Sequence, residues 1–187
     1  MRIIGGKSRG LHLAEVGAGD MAAHLRPTTD RVRESIFNLL INGGYDNPLQ
    51  DARVLDLFAG TGALGLEALS RGAKHAAFVD DGVASRALLR KNIELMRAMG
   101  ITDVWRRDAT RMGDNRGEKF DMVFLDPPYG MGLGEKALAS CVAGGWLAPN
   151  AMIVWEESTA PLAPAGFEML DQRRYGDTIV TLLKAPE

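Results

Sequence analysis

The chain has 187 residues, 46% hydrophobic and 25% charged, which is enough for one full-size domain with a real core and not obviously enough for two. Its 22 Lys+Arg against 24 Asp+Glu leave a formal net charge of -2, which excludes a polybasic chain, so any nucleic-acid contact must rest on a local basic surface. A single cysteine, Cys141, and three scattered histidines, His12, His24 and His75, exclude a disulfide framework and a Cys/His metal cluster, and with no signal-peptide or membrane-span pattern a cytoplasmic protein is expected.

Residues 1–33 hold six basic side chains (Arg2, Lys7, Arg9, Arg26, Arg31, Arg33) against three acidic ones, a local net of +3 that leaves -5 for the rest. Within this segment RIIGG and LHLAEV are short β-like runs separated by KSRG, which predicts a hairpin followed by a Gly/Ala-rich loop. Residues 1–24 are therefore expected to form a small appendage and 25–187 the main domain. Thr29 or Asp30 caps a helix whose apolar positions Val32, Ile36, Phe37, Leu39 and Leu40 share a face, ending at Asn42-Gly43-Gly44.

From about residue 52 apolar runs alternate with helical segments. VLDLF, AAFVD, DMVFLD and AMIVWEE read as buried strands, with TDVWRRD as one more. ALGLEALSR, VASRALLRKNIELMRAM and GEKALASCVAG read as helices, and GFEMLDQRRY and DTIVTLLK as two antiparallel strands around Gly176 closing the sheet edge. Such alternation predicts an α/β fold with a mostly parallel sheet covered on both faces. Arg86, Arg90, Lys91 and Arg97 are expected on the solvent face of the long helix, Trp105, Trp146 and Trp155 in the core, and Cys141 buried, with no histidine near it to activate it.

The first strand leads into DLFAGTGALG, where Gly60, Gly62 and Gly65 fit G-x-G-x-x-G between strand and helix and Asp80 ends the next strand. The spacing also fits a dinucleotide site. Asp56, four residues before the first glycine, separates the two, because a fixed negative charge suits a ligand bearing an ammonium and a sulfonium better than a pyrophosphate. This favours S-adenosylmethionine, with Asp80 on the ribose hydroxyls and Asp108-Ala109 beside the adenine. The loop lacks the G-K-[ST] ending of a triphosphate site.

DMVFLD ends in Asp126-Pro127-Pro128-Tyr129, at the end of a buried strand where open α/β sheets place their ligands. Two prolines fix φ twice and remove two donors, leaving carbonyls and the Asp126 carboxylate as acceptors in a stiff frame. Acceptors are what an exocyclic amine needs, since they hold its N–H groups and present its lone pair, while Tyr129 offers a ring on which a flipped base stacks.

With these motifs the chain resembles the RsmD-type 16S rRNA (guanine-N2) methyltransferases, class I enzymes with a Rossmann-like, mostly parallel doubly wound seven-stranded sheet. RIIGG, Arg26 to Glu34 (RPTTDRVRE), DLFAGTGALGLEALSRGA, DPPY and Tyr175-Gly176-Asp177-Thr178 carry the resemblance over nearly the whole chain. It implies an antiparallel C-terminal strand and S-adenosylmethionine as cofactor. The implied substrate is a guanine, conventionally position 966, of small-subunit rRNA within an assembled or assembling subunit. It assigns Asp56, Phe58, Gly60, Gly62, Asp80, Asp108 and Ala109 to the cofactor and Asp126, Pro127, Pro128 and Tyr129 to the target amine. Lys7, Arg9, Arg26, Thr28, Arg31 and Arg33 are expected to track RNA phosphates, with Arg26 and Thr28 also in reach of the cofactor's methionine end. The second strand ends in Asp80-Asp81 where the family more often has Glu first, and the 17–24 loop is longer than the family's.

Three other readings compete. The same chemistry suits adenine-N6 or a protein glutamine amide, against which RPTTDRVRE argues. An NAD-dependent oxidoreductase leaves DPPY unexplained and lacks an evident acid/base for hydride transfer. A non-catalytic RNA-binding factor leaves an intact DPPY without a task.

Overall fold

Strands buried on both faces read as unbroken apolar runs, and the runs singled out above form the interior of one sheet. The computed structural model describes residues 1–15 and 28–187. In chain order it places α1 (Asp30–Asn42), β1 (Arg53–Leu57), α2 (Ala63–Ser70), β2 (His75–Val79), α3 (Val83–Leu95), β3 (Thr102–Trp105), β4 (Phe120–Leu125), α4 (Leu133–Ala143), β5 (Leu147–Glu157), β6 (Glu168–Tyr175) and β7 (Thr178–Lys184). The seven strands lie in the order β3-β2-β1-β4-β5-β7-β6. The first five are parallel, and β7 runs antiparallel between β5 and β6. The chain moves outward from β1 to β3 and then returns to β4 on the other side of β1, so the topological switch point lies between β1 and β4.

The period of two along each strand divides the core. Val54, Phe78, Met122, Phe124 and Val154 pack with residues of α1, α2 and α3, whereas Leu55, Leu57, Val79, Val123, Leu125, Ile153 and Trp155 pack with α4. Helix α2 is buried all round, as an apolar helix wedged between a sheet and a covering segment must be. No helix among the described residues is long and apolar enough to cross a membrane.

Helix α1 starts as expected. The Thr29 side chain accepts the Val32 N–H, Asp30 lies in the first turn, and Gly43 ends the helix. Helix α3 stops four residues short of the expected Met99, because Arg97 adopts a left-handed φ of 54°. The N–H groups of Ala98 and Arg97 then turn back onto the carbonyls of Ile93 and Glu94, which closes the helix in the usual left-handed manner without a glycine.

The N-terminal hairpin is present in outline. Its arms meet at one antiparallel bridge, Arg2 to His12, supported by Ile3 N–H to Leu11 and Leu13 N–H to Met1. The turn between them bonds outward to α2. The Glu67 carboxylate accepts the N–H groups of Ile4 and Gly5 at 2.9 Å each, and Ser70 accepts from Ser8 and donates to the Gly5 carbonyl. Gly6 approaches so closely that a Cβ there would lie 1.9 Å from the Ser70 carbonyl oxygen. The expected boundary at residues 24 and 25, the 17–24 loop and Arg26 lie outside the described residues.

Candidate active site

Four neighbouring strands deliver a carboxylate to the same edge of the sheet: Asp80 after β2, Asp56 in β1, Asp126 after β4 and Glu156 in β5. The alternation that sends Val54, Phe78, Phe124 and Val154 toward α1, α2 and α3 sends these four acids to that face. The edge flanks the switch point.

Asp56 is 1% exposed, and its Oδ2 accepts the Gly65 N–H at 2.9 Å. Its side chain turns under the glycine loop and holds it through this bond, a task the sequence reading did not give it. Burial pushes its carboxyl well above the usual range, and Asp126 and Asp80 add to this against the pull of the Gly65 N–H. The loop itself is tight. Gly62 has φ 80° as the residue before α2, and a Cβ there would lie 2.3 Å from Leu89 Cδ1. At Gly65 a Cβ would meet the Phe78 ring at 2.4 Å, so this glycine sets the helix-to-strand spacing. Phe58 takes φ 57°, a left-handed conformation that costs a bulky residue on the order of 1–3 kcal/mol and is found where a site demands it.

Asp80 joins the two loops of the site, with Oδ2 accepting the Gly60 N–H at 2.9 Å and Oδ1 the Gly82 N–H at 2.8 Å. Asp108 is exposed and bonds the Thr110 N–H and hydroxyl, which hold its carboxyl below the usual range. The neighbouring Ala109 is buried. The loop from Phe58 to Gly62 carries no basic side chain, so the donor set is acceptor-rich and suits a cationic ligand with hydroxyl groups.

The Asp126–Tyr129 loop is braced from the far side of the sheet. Tyr129 Oη lies 3.0 Å from Thr178 Oγ1 on β7, and the Gly130 N–H donates to Glu157 Oε1 at 3.0 Å. Pro127 is buried while Pro128 is exposed, and Asp126 and Tyr129 are half-buried. Thr28 Oγ1 lies 3.1 Å from Asp126 Oδ2 and 3.2 and 3.1 Å from the two Glu156 oxygens. Thr28, half-buried, thus lies within the acidic cluster. Burial and the Asp126 carboxylate push Glu156 well above the usual range, and Asp56 adds to this, while Thr28 and Arg33 pull the other way.

The basic residues divide. Lys7, Arg9 and Arg31 are exposed. Arg33 corrects the expectation of a phosphate contact, because it is fully buried, pairing with Asp30 at 2.8 Å and lying 3.7 Å from Glu67, and it also donates to the Arg2 carbonyl. Arg86, expected on a solvent face, is 6% exposed and bonds the Asp80 carbonyl. Trp146, Trp155 and Cys141 are buried as expected, and Trp105 is half-buried. Burial pushes the Cys141 thiol up to about 12, consistent with an inert core residue.

Glu156, Glu157 and Thr178 have places in the site that sequence reasoning did not assign. The available signal was the pair of glutamates ending the apolar run AMIVW, one on each face of a strand beside DMVFLD.

A family described as conserved hypothetical protein 95 matches residues 1–184. The ribosomal RNA small subunit methyltransferase D of Escherichia coli K12 is 38% identical over 185 residues, covering 97% of this chain and 88% of that protein. The solved structure of the Escherichia coli protein yhhF superposes with a TM-score of 0.81 at 36% identity, covering 100% of this chain and 98% of that one. The structure of SMU.776 complexed with SAH shares the fold alone, at a TM-score of 0.62 and 19% identity over 82% of this chain and 49% of that one. On this evidence the chain belongs to the conserved hypothetical protein 95 family, alongside the ribosomal RNA small subunit methyltransferases D.

Proposed function

We propose that this protein transfers a methyl group from S-adenosylmethionine to the exocyclic N2 amine of a specific guanine in small-subunit ribosomal RNA. The observation that carries this reading is the place of Asp126, on its double-proline frame at the end of β4, directly across the switch point from the glycine loop that follows β1. The name of the Escherichia coli relative supports the RNA class, and the SAH in a neighbour of the same fold supports the cofactor.

The acceptor-rich loops fit this cofactor. Asp80 keeps lone pairs for ribose hydroxyls while bonding Gly60 and Gly82, and Ala109 with Asp108 flanks the adenine. Phe58, Gly60 and Gly62 shape the wall on which the cofactor lies, and Asp56 acts through the loop it holds. When bound, the cofactor supplies an electrophilic methyl group whose S–C bond breaks as the N–C bond forms, leaving a neutral thioether. Asp126 and the carbonyls of the proline frame accept the amine N–H groups and aim the nitrogen lone pair, and Tyr129 stacks on the base. The nitrogen, cationic after transfer, sheds its proton to solvent, so no strong general base is required. Lys7, Arg9 and Arg31, with Arg26, contact phosphates, and residues 1–24 serve as an appendage to a catalytic domain of 25–187.

The test is transfer of radiolabelled methyl to small ribosomal subunits and to protein-free rRNA, both from cells lacking the gene, with the product nucleoside identified by mass spectrometry. N2-methylguanosine at one site is expected, with subunits preferred over free RNA. N6-methyladenosine or labelled protein overturns the acceptor, and absence of cofactor binding by calorimetry overturns the reaction.

A further inference from the structure

Thr28 stands between two carboxylates with one hydroxyl proton to give. Its Oγ1 is within 3.2 Å of Asp126 Oδ2 and of both Glu156 oxygens. With both acids ionised, the hydroxyl bonds one of them, and the other directs its lone pairs at the hydroxyl oxygen. A proton on one acid relieves this contact: a neutral Glu156 donates to Thr28 Oγ1, and Thr28 donates to Asp126 Oδ2. That proton belongs on Glu156, which is 2% exposed, whereas Asp126 is half-buried and keeps more of its hydration when charged.

We infer that Glu156 is a neutral acid that, through Thr28, fixes the Asp126 carboxylate in its ionised, accepting form, making Thr28 and Glu156 positioning residues for the target amine. The inference rests on the methyl-transfer reading above. The groups facing Glu156 agree with it. Asp126 from the end of β4 and Asp56 from β1 both oppose its ionisation, as does burial. Arg33 from α1 favours the charged form; its Nη2 bonds Asp30 and the Arg2 carbonyl and its Nε lies 3.7 Å from Glu67. The opposing influences of burial, Asp126 and Asp56 thus act against a guanidinium that Asp30 and Glu67 partly neutralise. A protonated Asp126 would direct an O–H at an amine that itself needs acceptors, so placing the proton two groups away protects the geometry of attack.

Two measurements test this. In steady-state methyl transfer, Thr28→Val and Glu156→Ala are each expected to lower kcat on the order of 100-fold, the scale of a misplacement of about 1 Å, with cofactor affinity retained. Glu156→Gln, whose amide N–H replaces the acid O–H, is expected to recover at least about tenfold of the alanine loss. Separately, carboxyl-carbon NMR of the wild-type protein, with Glu156 assigned by its absence from Glu156→Gln, is expected to show it titrating well above the ordinary Glu value of about 4.3. A Gln variant as impaired as the Ala variant, an unimpaired Thr28→Val, or an ordinary Glu156 titration overturns the inference. Absence of any transfer by the wild-type protein overturns the methyl-transfer reading and the positioning role with it, whereas the NMR titration decides the protonation state separately.

Discussion

The backbone N–H of Gly65 donates to the Asp56 carboxylate at 2.9 Å, so β1 supplies from outside the cap that α2 lacks at its own start. Gly62 precedes that helix without a side-chain bond, and Gly65 is one of the early N–H groups with no partner inside the helix. Asp56→Ala is expected to cost about 1–3 kcal/mol, the penalty for a buried donor left unsatisfied, and to weaken S-adenosylmethionine binding by loosening the glycine loop. Asp56→Asn keeps an acceptor and should lose less. Urea denaturation and calorimetry check both.

The raised carboxyls of Asp56 and Glu156 fix the sign of a pH effect. Between the ordinary carboxylate range and their folded values the native state holds more protons than the unfolded chain, so stability falls as pH rises through that window. This contribution is fully present at acid pH. Glu156→Gln removes one of the two groups, and the loss of urea midpoint between about pH 5 and about pH 8 is expected to be smaller in that variant than in the wild type. An equal loss in both proteins contradicts the assignment.

Glu67 is buried and gathers the N–H groups of Ile4 and Gly5, the Arg71 guanidinium at 2.9 Å and the Arg33 guanidinium at 3.7 Å. Glu67→Ala leaves Arg33 charged in the core and is expected to destabilise by about 3–5 kcal/mol. Thermal or urea unfolding reads the effect.

Asp126→Ala is expected to abolish methyl transfer while S-adenosylmethionine affinity, measured by calorimetry, stays close to wild type. In the proposed function the carboxylate accepts from the target amine and does not line the wall behind the cofactor. Retained transfer overturns its role.

Lys7 and Arg9 are exposed at the turn of the N-terminal segment, where Lys7 N–H bonds the Ser70 carbonyl at the C-terminal end of α2. The glycine loop lies at the other end of that helix, about 12 Å away at the rise of an α-helix. Replacing both with alanine is expected to weaken RNA binding and reduce the salt slope by about 2, with unfolding unchanged.

The strands and helices were legible because parallel strands buried on both faces are continuous apolar runs, and the glycine loop and DPPY were legible because each lies within one short segment. Arg33 was misjudged from its charge alone. Its position three, four and seven residues before Ile36, Phe37 and Leu40 places it on the buried stripe of α1, and the same spacing relates Arg86 to Leu89 and Ile93. Asp56 was placed correctly at the strand end, but the turn of its side chain beneath the loop depends on how closely α2 packs. The Thr28–Glu156 pair was out of reach because its members are 128 residues apart, and the pairing of β5 with β4 is what sets the two acceptors of Thr28, Glu156 and Asp126, side by side.

The place of β7 has a consequence for the order of synthesis. The strand made after all the others is not at the rim of the sheet. It slots between β5 and β6 and pairs Met152–Glu157 on one side and Glu168–Tyr175 on the other. Until residues 178–184 leave the ribosome, one whole flank of β5 stays without a partner, and Tyr129 lacks the Thr178 hydroxyl that braces it. The Asp126–Tyr129 loop is thus among the last parts of the molecule to be completed, and a nascent chain halted before β7 carries the glycine loop and the double-proline loop without the hydroxyl that braces the latter.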